Sequence, residues 1–461
     1  MKPSILTFFL SLIFGTTLAH GAVIVVPSEG DLNSSISAAT SGDTLVLMGG
    51  FYGDIIVSGK TLHFRHSQVI PQISSFTFQN TNGLSSITDF KIDGNIGISN
   101  GSLEIVDCVI TGSLDLNNSI SSALKIRRSR INGNIDVLNS YDSNVELLDS
   151  NITGYVKISK SNLFVKKSKI NGNLWNLNSV DDNGETLLST ILQSEIGESL
   201  SLKSARSKIL YNLIRYSYFE GKPEVIGNEF NGRASDKCGI IITGANTNAI
   251  IKNNRIHNFS KFSTGNMTEK NIGIFLLNNA RAEITNNLLY NIKDESQSGN
   301  ENYSCLGIYV KSTLGTKIMG NIFHTIGTVY PPASPTSSRA ILAPYKDVIS
   351  QNNCFYTASA LMNDTPLHGG VIDYGSINAN PKLNGNFTLA SDSPCIDKGP
   401  PDPQYNDRDG SRNDIGMFGG HNFIPDGRTT NKPIVLGLDI APIAVPTGGT
   451  VTIESTGATV K

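Results

Sequence analysis

The sequence predicts an all-β chain whose short strands stack coil upon coil into parallel sheets. Three observations predict it. A five-residue unit recurs at almost constant spacing. The stretches between its copies alternate apolar and polar residues with the strand period of two. No long run carries the 3.6-residue period of a helix.

The unit is isoleucine, a polar residue, glycine, any residue, then an aliphatic one. It reads Ile92-Asp93-Gly94-Asn95-Ile96, Ile110-Thr111-Gly112-Ser113-Leu114, Ile131-Asn132-Gly133-Asn134-Ile135, Ile152-Thr153-Gly154-Tyr155-Val156 and Ile170-Asn171-Gly172-Asn173-Leu174. The lead isoleucines at 92, 110, 131, 152 and 170 give steps of 18, 21, 21 and 18 residues. A unit this short cannot bury its own apolar face, but stacked neighbours bury one continuous core. Asn and Gly punctuate the strands because they tolerate positive φ at tight corners.

A second series follows: Asn228-Glu229-Phe230, Asn254-Arg255-Ile256, Asn287-Leu288-Leu289, Asn321-Ile322-Phe323 and Asn353-Cys354-Phe355, at intervals of 26, 33, 34 and 32 residues. Between these lie the strands Gly239–Ile242, Gly273–Leu276, Gly307–Val310 and Ala340–Ala343. Polar inserts at Ser260–Asn271, Lys293–Ser304 and Gly327–Arg339 lengthen the period, and a constant core path makes them bulge outward on one side. The recurring Asn at one corner predicts an internal ladder of side-chain amides. Leucine-rich repeats lack their pattern here, a sandwich would not repeat in fixed register, and helical solenoids need longer periodic runs.

The termini carry a family resemblance. Ala22–Pro27 reads as a first strand. Asp31–Thr40, with Ile36, Ala38 and Ala39, reads as a short amphipathic cap over the open core end. Gly42–Leu47, Gly50–Tyr52 and Ile55–Leu62 follow and resemble the usual start of such a coil stack. Ser393–Gly399 and Asn406–Gly416 resemble the closing segment of exported bacterial β-helix proteins, some of them of the choice-of-anchor type. Together these segments resemble proteins of the pectin-lyase-like fold. The resemblance implies a single-stranded right-handed parallel β-helix with a short N-terminal capping helix, and it is specific for fold rather than function.

The chain divides into a signal peptide (1–21), an N-terminal cap and first coil (22–64), the β-helix (65–390), an acidic C-terminal capping loop (391–421) and a C-terminal β extension (422–461). Lys2, the apolar Ile5–Leu18 and the small residues at 17–21 carry the signal-peptide reading, which implies a secreted, periplasmic or cell-surface protein. No later run is long enough for a transmembrane helix after signal cleavage. In the extension, Thr450–Ile453 reads as an edge strand on the last coil.

Among the 461 residues charged side chains make up 16%, and Lys+Arg 37 against Asp+Glu 39 leaves a net charge of −2. That excludes a chain built around a nucleic-acid surface, which needs a large basic excess. Five cysteines, Cys108, Cys238, Cys305, Cys354 and Cys395, are odd in number, widely spaced and without a CxxC pair, so they support neither a disulfide scaffold nor a zinc site and read as buried free thiols.

Two outward columns are candidates for binding. Asn231, His257, Tyr290, His324 and Tyr356 each follow an inward residue. Ile241, Phe275, Tyr309 and Leu342 alternate with inward isoleucines. Either the inserts fold over the second column, or they wall a groove where aromatic faces stack on a polysaccharide or another envelope polymer. The candidate contacts are His257, Phe275, Tyr290, Tyr309, His324 and Tyr356. Asp402, Asp407, Asp409 and Asp414, with Asn406, form an acidic loop whose oxygens suit structural calcium, or else an ion-paired, hydrogen-bonded cap using Arg408 and Arg412. No catalytic motif stands out. The candidate charged groups are Lys311 and Lys346 near the second column and Asp294, Glu295 and Glu301 in an insert. A polysaccharide lyase, a glycoside hydrolase and a passive stalk or adhesin remain alternatives to a binding protein.

Overall fold

The computed structural model describes residues 21–28, 31–177, 187–233, 236–261, 271–294, 305–312, 315–328, 338–356, 366–420, 423, 434–441, 450 and 452–458. Residues 1–20 of the expected signal peptide, most of each insert and much of the expected C-terminal extension lie outside the described residues. No described helix is long and apolar enough to cross a membrane.

The chain is all-β and winds as a single-stranded right-handed parallel β-helix. Each coil contributes a strand to each of three parallel sheets. Sheet 1 runs from Val23–Val26 through Thr44–Leu47, Ser102–Val106 and Asn248–Lys252 to Lys317–Met319 and beyond. Sheet 2 is built from two- and three-residue strands such as Arg130–Ile131 and Arg255–His257. Sheet 3 includes Leu114–Asn117, Ile135–Leu138, Asn271–Leu276 and Cys305–Val310.

Ile92, Ile110, Ile131, Ile152 and Ile170 stack in direct register on sheet 2. The column then continues through Ile196, Ile214 and Phe230 into Ile256, Leu289, Phe323 and Phe355. The two sequence series are therefore one structural column. Every one of these side chains is at most 4% exposed. Burying each contributes roughly 1.5–3 kcal/mol before its ordering entropy is subtracted.

Glycine in the repeat unit answers to crowding between coils. A Cβ on Gly133 would stand 2.4 Å from the Gly112 carbonyl oxygen, so no side chain fits there.

The corner from sheet 1 to sheet 2 has one conformation throughout. Asp107, Arg128, Asp149, Lys167, Gln193, Tyr211, Gly227, Asn253, Asn286, Gly320 and Asn352 all hold positive φ, between 47° and 68°. From Arg128 onward the next residue in each coil points inward and extends a polar ladder. Its side-chain oxygen accepts the backbone N–H of the equivalent residue one coil earlier. Ser129 N–H donates to Ser150 Oγ at 3.2 Å and Ser150 N–H to Ser168 Oγ at 3.1 Å. The ladder passes from serine to asparagine at Ser194→Asn212, 2.8 Å, and runs through Asn228, Asn254, Asn287, Asn321 and Asn353 to Ser376. The predicted asparagine ladder is thus present, and serine extends it toward the N-terminus.

At the N-terminal end the helix Leu32–Ala38 covers the core with Leu32, Ile36 and Ala39. Ala38, expected on that stripe, is exposed, and Leu32 takes its place one turn before Ile36. Asp31 caps the start through Asn33 N–H, 2.9 Å. Lys60 Nζ donates to the carbonyls of Ile36, Ser37 and Ala39 at 2.8–3.2 Å, where the helix end favours a cation.

At the other end the chain turns back. After the last sheet 2 strand, Ile377–Asn378, residues 379–420 run along the corner of the later coils as a strap. Asn352 Nδ2 donates to Lys398 O, 3.2 Å, Gly416 N–H to Gly320 O, 2.7 Å, and Asn253 Nδ2 to Met417 O, 3.0 Å. Thr452–Ala458 pairs antiparallel with Ile434–Ala441 in a two-stranded sheet separate from the coils.

Candidate functional site

Four of the candidate contacts share one column on sheet 2. Asn231, His257, Tyr290, His324 and Tyr356 pair in register. Their inner neighbours Phe230, Ile256, Leu289, Phe323 and Phe355 fill the core, so alternation sends the column outward. Tyr290 and His324 lie 4.9 Å apart between ring centroids, and His324 and Tyr356 lie 5.1 Å apart. Burial holds the His324 ring below its ordinary protonation range, so it is neutral at neutral pH.

The strap closes the near end of this column. Phe387 packs edge-on to Tyr290 at 5.2 Å and against His257 at 6.0 Å. Arg255 lies over the same Phe387 ring at 4.6 Å. Glu229 receives Arg255 at 2.6 Å and His257 Nε2 at 3.1 Å. His257 is buried within this cluster, whereas Tyr290, His324 and Tyr356 are half-buried at the surface.

Phe275 and Tyr309 belong to a different sheet. They face outward on sheet 3, stacked at 4.9 Å with 4° between the rings. Beside them Ile272, Leu306 and Leu342 form a buried cluster outside the main core. Gly273 allows this: a Cβ there would stand 2.7 Å from Leu289 and 2.8 Å from Ile292 inside the coil. Ile241 and Leu342 complete the expected column on either side.

That column runs much further than the sequence pattern suggested. In register it reads Asp115, Asp136, Lys157, Trp175, Ser201, Tyr218, Ile241, Phe275, Tyr309, Leu342. Trp175, the only tryptophan of the chain, tilts against Tyr155 at 5.5 Å. Tyr155 Oη donates to Asp136 Oδ2 at 3.0 Å. Asp115 lies directly against Asp136 in the ladder, and burial together with the Asp136 charge pushes its carboxyl upward. Asp115, Asp136, Lys157 and Trp175 were legible as outward positions, since each follows the aliphatic residue that ends a repeat unit. Nothing in the sequence joined them to Phe275 and Tyr309, because the register passes through strands outside both repeat series.

The acidic loop lies within the strap. Asp407 accepts the N–H of Asp414 at 3.1 Å and that of Gly420, and Asp414 accepts the N–H of Asp397 at 2.8 Å. Asp409 accepts from Ser411, and Asp402 caps the turn at Gln404. The four carboxylates thus serve separate turns. Among the described residues no three His, Cys, Asp or Glu side chains gather as a metal site. Arg412 donates to the Gly399 carbonyl at 2.6 and 3.0 Å. Burial pushes Asp407 up to about 6, with Asp414 and Asp409 adding repulsion, and burial raises Asp414 too.

Of the charged groups near the columns, Lys311 is exposed. The side chains of Asp294 and Lys346, and Glu295 and Glu301 altogether, lie outside the described residues.

No protein-family model matches the chain, and no curated protein matches it. Among solved structures, the pectate lyase Pel9A is similar over 88% of this chain and 98% of its own, at 12% identity and a TM-score of 0.24. A PL6 family polysaccharide lyase from Pseudopedobacter saltans is similar over 78% of this chain and 94% of its own, at 14% identity and a TM-score of 0.26.

Proposed function

We propose that the protein is exported and binds a polysaccharide, or another envelope polymer, along the outer faces of sheets 2 and 3. The observation that carries this reading is the stacked pair Phe275 and Tyr309 in a column continuous with Tyr218 and Trp175. Parallel coils repeat every ~4.8 Å, so the column offers aromatic ring edges and polar groups at a regular interval. A polymer of repeating rings meets the same chemistry at each step. Tyr290, His324 and Tyr356 supply a second row around the corner, with His257 and Phe387 bounding it. The apolar segment before residue 21 supports export.

The test is retention on a panel of insoluble and immobilised polysaccharides. Tyr309→Ala and Phe275→Ala are expected to weaken retention by about tenfold, since each removes one aromatic ring from the row. Equal retention of wild type and both variants, or no retention on any polymer, would sink the reading.

A second reading, glycoside hydrolysis, is favoured by Asp115 and Asp136. Two carboxyls on adjacent strands about 4.8 Å apart approach the ~5 Å separation used by retaining glycosidases. The raised Asp115 suits a general acid and the hydrogen-bonded Asp136 a nucleophile. New reducing ends from a bound polymer, abolished by Asp115→Asn, would establish it. Unsaturated products would indicate a lyase instead. Binding with neither product leaves a binding protein.

A further inference from the structure

Cys354 and Cys395 are 41 residues apart in sequence and share one buried apolar cluster. Cys354 sits on the outer side of its sheet 2 strand. Cys395 sits on the strap that crosses that strand. Both are 0% exposed, within one apolar cluster with Leu288, Ile322 and Ile415. Both are free thiols; Cys354 Sγ donates to the Ala379 carbonyl at 3.2 Å, and the neighbouring Cys395 thiol pushes the ionisation of Cys354 upward.

We propose that Cys354 and Cys395 form a disulfide that fastens the strap to the coils. No other pair is placed for one. Cys238 and Cys305 lie two coils apart on sheet 3, about 10 Å along the stack, beyond the ~7 Å that a disulfide spans. Cys108 lies many coils away, at the sheet 1 corner.

The bond forms by exchange with an external disulfide, either a small molecule or an oxidising protein. With the strap undocked, one thiol loses its proton to water and its sulfur attacks the carrier, expelling one carrier thiolate. The second cysteine, once deprotonated, attacks the mixed disulfide and expels the other. Two electrons pass to the carrier, which leaves as two thiols. Docking then buries the bond and shields it from reductant.

The bond closes a loop that contains Phe387, the residue set against His257 and Tyr290. Oxidation therefore fixes the end of the sheet 2 column. The proposal uses the export reading only to explain where an oxidant is met, and its chemistry is tested without it.

The full chain is refolded in mixed oxidised and reduced glutathione, then unfolded with a maleimide present. The expected uptake is three labels without reductant and five after reduction, out of five cysteines, with the wild type lighter by two hydrogens before reduction. Peptide mapping is expected to join the Cys354 and Cys395 fragments. Five labels before reduction, or a bond mapped to another pair, overturns the proposal whatever the polymer panel shows. Cys354→Ser and Cys395→Ser are each expected to abolish the drop in Tm that reductant causes in the wild type. A reductant effect that persists in Cys395→Ser also overturns it.

Discussion

Asn287 Oδ1 accepts two hydrogen bonds from Asn254, one from its backbone N–H at 3.0 Å and one from its side-chain amide at 2.9 Å. Asn287 in turn gives both of its own to Asn321, at 2.9 Å each. Its amide also reaches the Ile251 and Thr285 carbonyls. One side chain thus satisfies polar groups of three coils inside a dry core. A buried coil corner needs this, because an unpaired N–H there costs about 1–3 kcal/mol.

Replacing Asn287 by Ala is therefore expected to cost about 3 kcal/mol, read as a lowered urea midpoint. Asn287→Asp should be at least as damaging although its shape is unchanged. It turns the amide donors into an acceptor facing the Ile251 carbonyl and Asn321 Oδ1, and it buries a charge. Asn287→Ser should fall between wild type and Ala, since Ser150 and Ser168 do the same work in earlier coils. An Asp variant as stable as wild type would show that the ladder donors are unimportant.

The strap is held by polar contacts that a single residue gathers. Asn286 Nδ2 donates to Asn413 Oδ1 at 2.9 Å and to the Asp414 carbonyl at 2.7 Å, and Asn413 returns a bond at 3.2 Å. Asn286→Ala should loosen the strap and leave the coils folded. Limited proteolysis is expected to cut between 379 and 420 several times faster, about the effect of 1–2 kcal/mol of local opening. Cleavage elsewhere at the same rate as in the strap would mean that strap and coils unfold together.

Strap docking should strengthen in mild acid. Asp407 is pushed up to about 6, above the 3.8 of a free carboxyl, so between those values the folded state alone holds the proton. Stability from this group is fully present below about 4 and is lost as pH rises through about 6. Asp414, raised in the same direction, adds to the slope. The thermal midpoint of the strap transition is expected to rise from pH 7 to pH 5, and Asp407→Asn should flatten that rise. Curves in calcium and in chelator are expected to superimpose if the carboxylates act only as turn acceptors. A calcium-dependent rise at pH 7 that Asp407→Asn removes would instead establish a cation on the loop.

The β-helix was legible because its determinants are local and repeated. Ile110, Ile131 and Ile152 announce the stack through spacing alone, and Asn254, Asn287 and Asn321 announce the ladder. Ile196 and Ile214, which join the two series, were not legible, since no glycine unit marks them. Phe387 was not legible as a neighbour of Tyr290, because a contact between a coil and a returning strap leaves no period. Asp115 and Asp136 showed as outward positions, but their place in one column with Phe275 depends on the register of every coil between them. The shared cluster of Cys354 and Cys395 was hidden for the same reason as the contact of Phe387.

The stacked carboxylates supply a final expectation. Like charges directly opposed on neighbouring strands are destabilising, and Asp115 lies directly against Asp136. A surface kept for stability alone gains nothing from this pair. Asp136→Asn retains an oxygen for the Tyr155 hydroxyl and removes the opposing charge. It is expected to stabilise the fold by about 0.5 kcal/mol at pH 7. The carboxyl resonance of Asp115 should titrate at lower pH in the variant, because one of the two causes of its upward shift is gone. The stability gain should shrink as pH falls, since protonation of Asp115 relieves the same repulsion in wild type. If the pair serves the polymer lane, the more stable variant will retain polymer less well or lose turnover. A variant that is both more stable and equally active would mark the pair as a tolerated defect, and the polymer reading would then rest on the aromatic rows alone.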